Sequence, residues 1–74
     1  MIKEFDPVVL TKDLPDNGLR AGDAGTVVMI HNSGAGYDVE FCTFRGQTIA
    51  VKTLAADAVR SVGQREIAHV RDVA

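Results

Sequence analysis

Asn17-Gly18-Leu19-Arg20-Ala21-Gly22-Asp23-Ala24-Gly25-Thr26-Val27-Val28-Met29-Ile30 is polar and glycine-punctuated in its first half and apolar and β-branched in its second. Glycine accepts positive φ and close backbone approach, so the spacing of Gly18, Gly22 and Gly25 predicts a long folded-over loop that turns sharply into a buried strand of a small curved barrel. The second strand is expected over 25–31. Its unbroken run Val27-Val28-Met29-Ile30 predicts a central strand with apolar cover on both faces for part of its length.

Outward from this stretch the pattern stays β. Upstream, Pro7-Val8-Val9-Leu10-Thr11 is short, β-branched and opened by proline, where a strand tolerates a missing donor, and is the first strand. Residues 12–23 are turn-rich without a helical period and form a long loop. Loops of this length inside a compact domain are often functional. Downstream, the turn cluster Asn32-Ser33-Gly34-Ala35-Gly36 precedes Tyr37-Asp38-Val39-Glu40-Phe41, whose period of two sends Tyr37, Val39 and Phe41 inward and Asp38 and Glu40 to water. A turn at 43–47 leads to a fourth strand, 48–52, with Ile49 and Val51 as its expected core residues. Leu54-Ala55-Ala56-Asp57-Ala58 is too short for a stable helix and predicts one helical or 3₁₀ turn before a fifth strand at 59–62.

This order predicts an all-β fold: a five-stranded Src-homology-3-like small barrel in which the fifth strand returns to the first, as one domain with its core over 6–62 and a tail over 63–74. In the tail, Ile67, Val70 and Val73 are three apart, as on one face of a short helix, and the same letters permit an extended segment.

Bulk composition narrows the function. The 74 residues are 46% hydrophobic and 24% charged, the balance of a small globular domain rather than a disordered chain. A net charge of −2 lacks the field that draws a domain onto phosphate backbones, so nucleic acid is disfavoured as a partner. The lone Cys42 has no internal disulfide or CxxC partner, the N-terminus lacks a signal-peptide pattern, and no apolar run approaches the roughly 18 residues of a membrane span. A cytoplasmic protein without membrane association is expected.

The pieces Ile2-Lys3-Glu4-Phe5-Asp6, Val8-Val9-Leu10-Thr11-Lys12-Asp13-Leu14-Pro15, Gly18-Leu19-Arg20-Ala21-Gly22-Asp23-Ala24-Gly25-Thr26-Val27-Val28, Tyr37-Asp38-Val39-Glu40-Phe41 and Arg65-Glu66-Ile67-Ala68-His69-Val70-Arg71 together resemble the DUF4926 family of short bacterial proteins, a domain of unknown function. The resemblance spans almost the whole chain and brings no catalytic residues. It implies a role beside a cognate protein encoded nearby, such as a toxin or effector. Gly22-Asp23-Ala24-Gly25-Thr26-Val27 is also similar to the glycine turn of the KOW motif of RNA-contacting barrels, but Asp13, Asp16 and Asp23 surround it with only Lys12 and Arg20 in opposition.

Catalytic and metal chemistry find little footing. Cys42, His31 and His69 have no local ligand or nucleophile spacing, and no cofactor motif is present. Asp13, Asp16 and Asp23 lack the alternating ligands of a calcium loop and are expected to cap turns. Gly22-Asp23-Ala24-Gly25 leads into a strand rather than a helix, which excludes a helix-terminal phosphate cradle. Arg65, His69 and Arg71, offset by Glu66 and Asp72, are expected to form a solvated face.

The candidate partner-binding residues are Leu14, Pro15, Asn17 and Leu19 in the long loop and Phe44 in the tight turn, because apolar side chains there must either fold back or meet a partner. Tyr37 belongs to the core. The expected function is a non-enzymatic protein-binding module, antitoxin- or immunity-like in its sharpest form, whose acidic rim favours a basic partner; self-association is left open. On this expectation, exchanging Leu14 and Leu19 for serine removes partner capture while leaving the melting temperature nearly unchanged. The alternative is a KOW-like RNA- or ribosome-associated barrel, which needs Lys12, Arg20, Arg45, Lys52 and Arg60 gathered on one face.

Overall fold

The computed structural model describes residues 1–73; Ala74, the last residue of the expected tail, lies outside them. Alternation and β-branching yield β1 (Pro7–Leu10), β2 (Ala24–His31), β3 (Gly36–Cys42), β4 (Thr48–Ala55) and β5 (Val59–Ser61), with 3₁₀ turns at Pro15–Asn17, Asn32–Gly34 and Ala56–Ala58. All pairings are antiparallel, in the order β4-β3-β2-β1-β5. β5 returns to β1 as the sequence implies. β4 and β5 remain separate edges, so the sheet is curled but not closed, and the expected barrel is a loose description.

The core is formed by Val8 and Leu10 of β1, Val27 of β2, Tyr37, Val39 and Phe41 of β3, Leu54 of β4, and Ala58 and Val59, joined by Leu19 from the long loop. Gly25 is part of that packing. A Cβ built on it lies 2.6 Å from Val39 Cγ1 and 2.8 Å from Phe41 Cε1, so β2 can cross the core there only without a side chain.

Two bulges change the expected side-chain parity. Val27 pairs with Val39 and Met29 with Asp38, making Val28 the extra residue and turning Met29 away from the core. β2 is central in the sheet, and its apolar run is covered only in part: Val27 is buried and Val28 half-buried, while Met29 is 51% exposed. In β4, Phe41 pairs with Ala50 and Cys42 with Thr48, leaving Ile49 as the extra residue. Ile49 packs half-buried against the core, whereas Val51, opposite Glu40, is 56% exposed rather than a core residue. β4 also runs on through Leu54, so the 3₁₀ turn begins only at Ala56.

Candidate functional site

The long loop is built as part of the body. Leu14 and Leu19 form an isolated antiparallel bridge, with amide-to-carbonyl bonds of 2.9 Å from Leu14 and 3.2 Å from Leu19. The reversal between them is the 3₁₀ turn Pro15–Asn17 followed by Gly18 at φ 70°, a left-handed position suited to glycine. Capping by aspartate, expected from the sequence, is present: Asp13 Oδ1 accepts from the Ala21 amide at 2.9 Å and Asp23 Oδ2 from the Arg20 amide at 2.8 Å. These bonds direct two of the three acidic groups of the expected rim into the loop itself and leave Asp16 exposed.

The candidate residues therefore separate. Leu19 is 4% exposed and belongs to the core, and Leu14 is half-buried against it. This corrects the expectation that serine at both positions would leave melting unchanged: the loop folds back because its two leucines complete a core too small to close without them. Pro15 is exposed, and Asn17 is half-buried with its Oδ1 enclosed and without a hydrogen-bond partner among the described residues. Phe44, at the turn between β3 and β4, is 81% exposed.

Phe44 stands at the margin of a cleft of about 1060 Å³. Val9, Phe41 and Ile49 line it from the sheet, and Ile67 and Val70 line it from the tail. The tail is not helical. After a turn at Gln64 and Arg65 it runs without regular secondary structure as a strap, leaving Ile67 92% and Val70 66% exposed.

Ion pairs hold the strap. Glu66 accepts from Arg60 of β5 through two bonds of 2.8 and 2.7 Å and from the Gly63 amide. These donors, the Arg60 guanidinium first, bring the Glu66 carboxyl down to about 2. Farther along, Arg71 Nε donates to Asp23 Oδ1 at 3.0 Å, and its Nη2 donates to Asp23 Oδ2 and to the Gly18 carbonyl at 2.9 Å. The Arg71 bond, with help from the Arg20 amide, lowers the Asp23 carboxyl against the opposing effect of partial burial. Arg65, Glu66, His69 and Asp72 are exposed, as expected of a solvated face, while Glu66 is also paired with Arg60 and Arg71 is drawn in, half-buried, to Asp23. Arg60, one of the cations the KOW-like arrangement requires, is occupied by Glu66.

The outer face of β2–β3–β4 carries a second polar group. Asp38 Oδ1 accepts from the Thr53 hydroxyl at 2.7 Å and meets His31 Nε2 at 2.8 Å, and both contacts lower the Asp38 carboxyl, Thr53 most. His31 and Thr53 each address the carboxylate, which makes the group a surface hydrogen-bond ladder rather than a base–nucleophile relay. Among the described residues no group of three or more His, Cys, Asp or Glu is disposed to hold a metal ion.

Sequence reasoning missed the strap's anchors and Phe5. Phe5 is exposed and sits at φ 71° in a turn closed by the Lys3 amide on Asp6 Oδ2. Nothing in Lys3-Glu4-Phe5-Asp6 marks an aromatic in that conformation. For the ion pairs the only signal is opposite charge at separations of 6 and 48 positions, which no local pattern reveals.

The structure is a small open antiparallel sheet with a folded-in first loop and a charged strap over an apolar cleft; among the described residues no helix is long and apolar enough to cross a membrane. The pattern of the family described as a domain of unknown function (DUF4926) matches residues 4–61, and the chain belongs to that family. Neither curated proteins nor solved structures give a match to the chain. The matched segment contains all five strands and ends where the strap begins.

Proposed function

We propose that the chain is a non-enzymatic protein-binding module whose partner docks at the cleft between the turn bearing Phe44 and the strap. One observation carries this reading: large apolar side chains that the small core does not use, Phe44, Ile67 and Val70, converge on a single concavity. Scattered exposed apolar residues are ordinary, whereas their convergence on a cleft marks a contact surface. The binding surface moves accordingly from the loop leucines of the sequence expectation to Phe44 and the tail.

The order β4-β3-β2-β1-β5 supports the Src-homology-3-like reading, and through it the binding role, as an analogy of fold. A cytoplasmic setting fits the free, exposed thiol of Cys42. The antitoxin- or immunity-like form of the role adds that the partner harms its own cell when the module is absent.

Tagged native chain and Phe44→Ser are to be expressed in the source cell and purified with whatever they hold. The reading expects one stoichiometric protein with the native chain and its loss with Phe44→Ser. Equal recovery with both, or none with the native chain, overturns it. A mobility-shift assay with RNA at low salt separates the KOW-like alternative, which requires binding there.

A further inference from the structure

Arg60 of β5, Val9 of β1 and Ala24 of β2 form one cross-strand row, since Val9 pairs with both of the others. Val8 and Leu10 point into the core, so Val9 lies on the opposite face of the sheet. Val9 is nonetheless buried, and it lines the cleft that the strap borders. The strap's two anchors flank this row, Glu66 at Arg60 on one side and Arg71 at Asp23, next to Ala24, on the other. The distance to be crossed is two strand spacings of about 4.8 Å each, well within the reach of the five peptide units from Glu66 to Arg71.

Between its anchors the strap leaves Ile67 and Val70 largely exposed. Its only backbone hydrogen bond among the described residues is the Glu66 amide to the Gly63 carbonyl, within its own turn. The face beneath it offers a cation at one end, an anion at the other and an apolar row between them. Such a seat fits any extended segment with a carboxylate and a cationic side chain about five residues apart.

We propose that the strap is a built-in stand-in for the partner, and that the partner inserts an extended segment of this charge pattern by displacing residues 63–73. This rests on the protein-binding reading above, with Phe44 as its anchor, and specifies what is bound: the segment takes the place of the cleft wall that Ile67 and Val70 form in the unbound chain. A seat that is mostly self-occupied lowers apparent affinity in proportion to the closed fraction, so opening the strap strengthens binding of a segment supplied in trans.

The probe is a fluorescent synthetic peptide of residues 63–73, titrated by anisotropy against the full-length native chain and the full-length Glu66→Gln/Arg71→Gln variant. Expected are at least tenfold tighter binding to the variant, no binding of a scrambled peptide, and loss of binding when Asp23→Asn is added. Equal affinity for native and opened chains, or no binding to a folded opened chain, overturns the proposal. If the double variant melts early, Arg71→Gln alone carries the same comparison. Capture of a protein that depends on Phe44, together with failure of the peptide, leaves the binding module standing and removes only the stand-in.

Discussion

The loop over residues 11–23 and the strap over 63–73 are both irregular, both charged, and both carry apolar residues a few positions apart, yet they are held in different ways. The loop closes on itself through the Leu14–Leu19 bridge, caps its turns with Asp13 and Asp23, and sends Leu19 into the core. Among the described residues the strap has one backbone–backbone bond, within its own turn, and two side-chain ion pairs, and it leaves Ile67 and Val70 largely in solvent. Apolar burial and backbone closure make the loop part of the folding unit. Side-chain ion pairs, the Arg60–Glu66 pair with substantial solvent contact and the Arg71–Asp23 pair part-buried, add less to global stability than apolar burial and are open to screening by salt, so the strap can come away while the sheet stays folded.

The contrast breaks most visibly at Leu19. Leu19→Ala should cost about 2–5 kcal/mol, the range for emptying a buried leucine site, whereas Ile67→Ala should change stability by less than about 0.5 kcal/mol. Urea titration of the two variants checks the ranking, and equal midpoints would erase the distinction. Gly25→Val comes next, with an expected loss of about 1–3 kcal/mol from overpacking against Val39 and Phe41. An unchanged midpoint there would mean that β2 does not pass so close to the core.

Acid should open the strap before it unfolds the sheet. Asp23 and Glu66 both have folded-state values below their ordinary ones of 3.8 and 4.5, so their pairing is fully present above that range and is lost as the pH falls through the lowered values. Glu66 holds until about 2, and its anchor therefore persists below the ordinary glutamate range. The side-chain carboxyl carbon shifts of Asp23 and Glu66 should be constant from neutral pH to about 5 and move only below about 4, the ordinary aspartate range. Movement centred near pH 6 would contradict the carboxylate latch. Smallest is Phe5→Gly, which should leave stability unchanged or raise it by up to about 1 kcal/mol, because Phe5 has positive φ and an exposed ring.

Much of the fold was legible in the sequence because alternation and turn chemistry are local. Tyr37, Val39 and Phe41 could be placed in the core from the acidic residues between them, and the break at Gly22-Asp23-Ala24-Gly25 located the start of β2. Val51 was misplaced for a physical reason: a bulge adds a residue without changing composition, and every side chain beyond it changes face. The candidate site was less legible. Leu19 in the loop and Ile67 in the tail are both apolar residues among polar ones; what separates them is backbone closure by Gly18 and the Leu14 bridge, and distant partners such as Arg60 and Asp23 appear only in three dimensions. Phe44 was the candidate whose setting, a tight turn remote from the core, did foretell its exposure.

Residue-resolved amide hydrogen exchange of the native chain at neutral pH tests the central claim, that the loop is body and the strap is a displaceable cover. The amides of Leu14 and Leu19 should exchange with the slow protection of the β1–β2 pairing, while those of Ile67 through Val70 exchange at nearly unprotected rates. Strap amides protected as strongly as Leu19 would contradict it, because a segment that opens only with global unfolding is part of the fold.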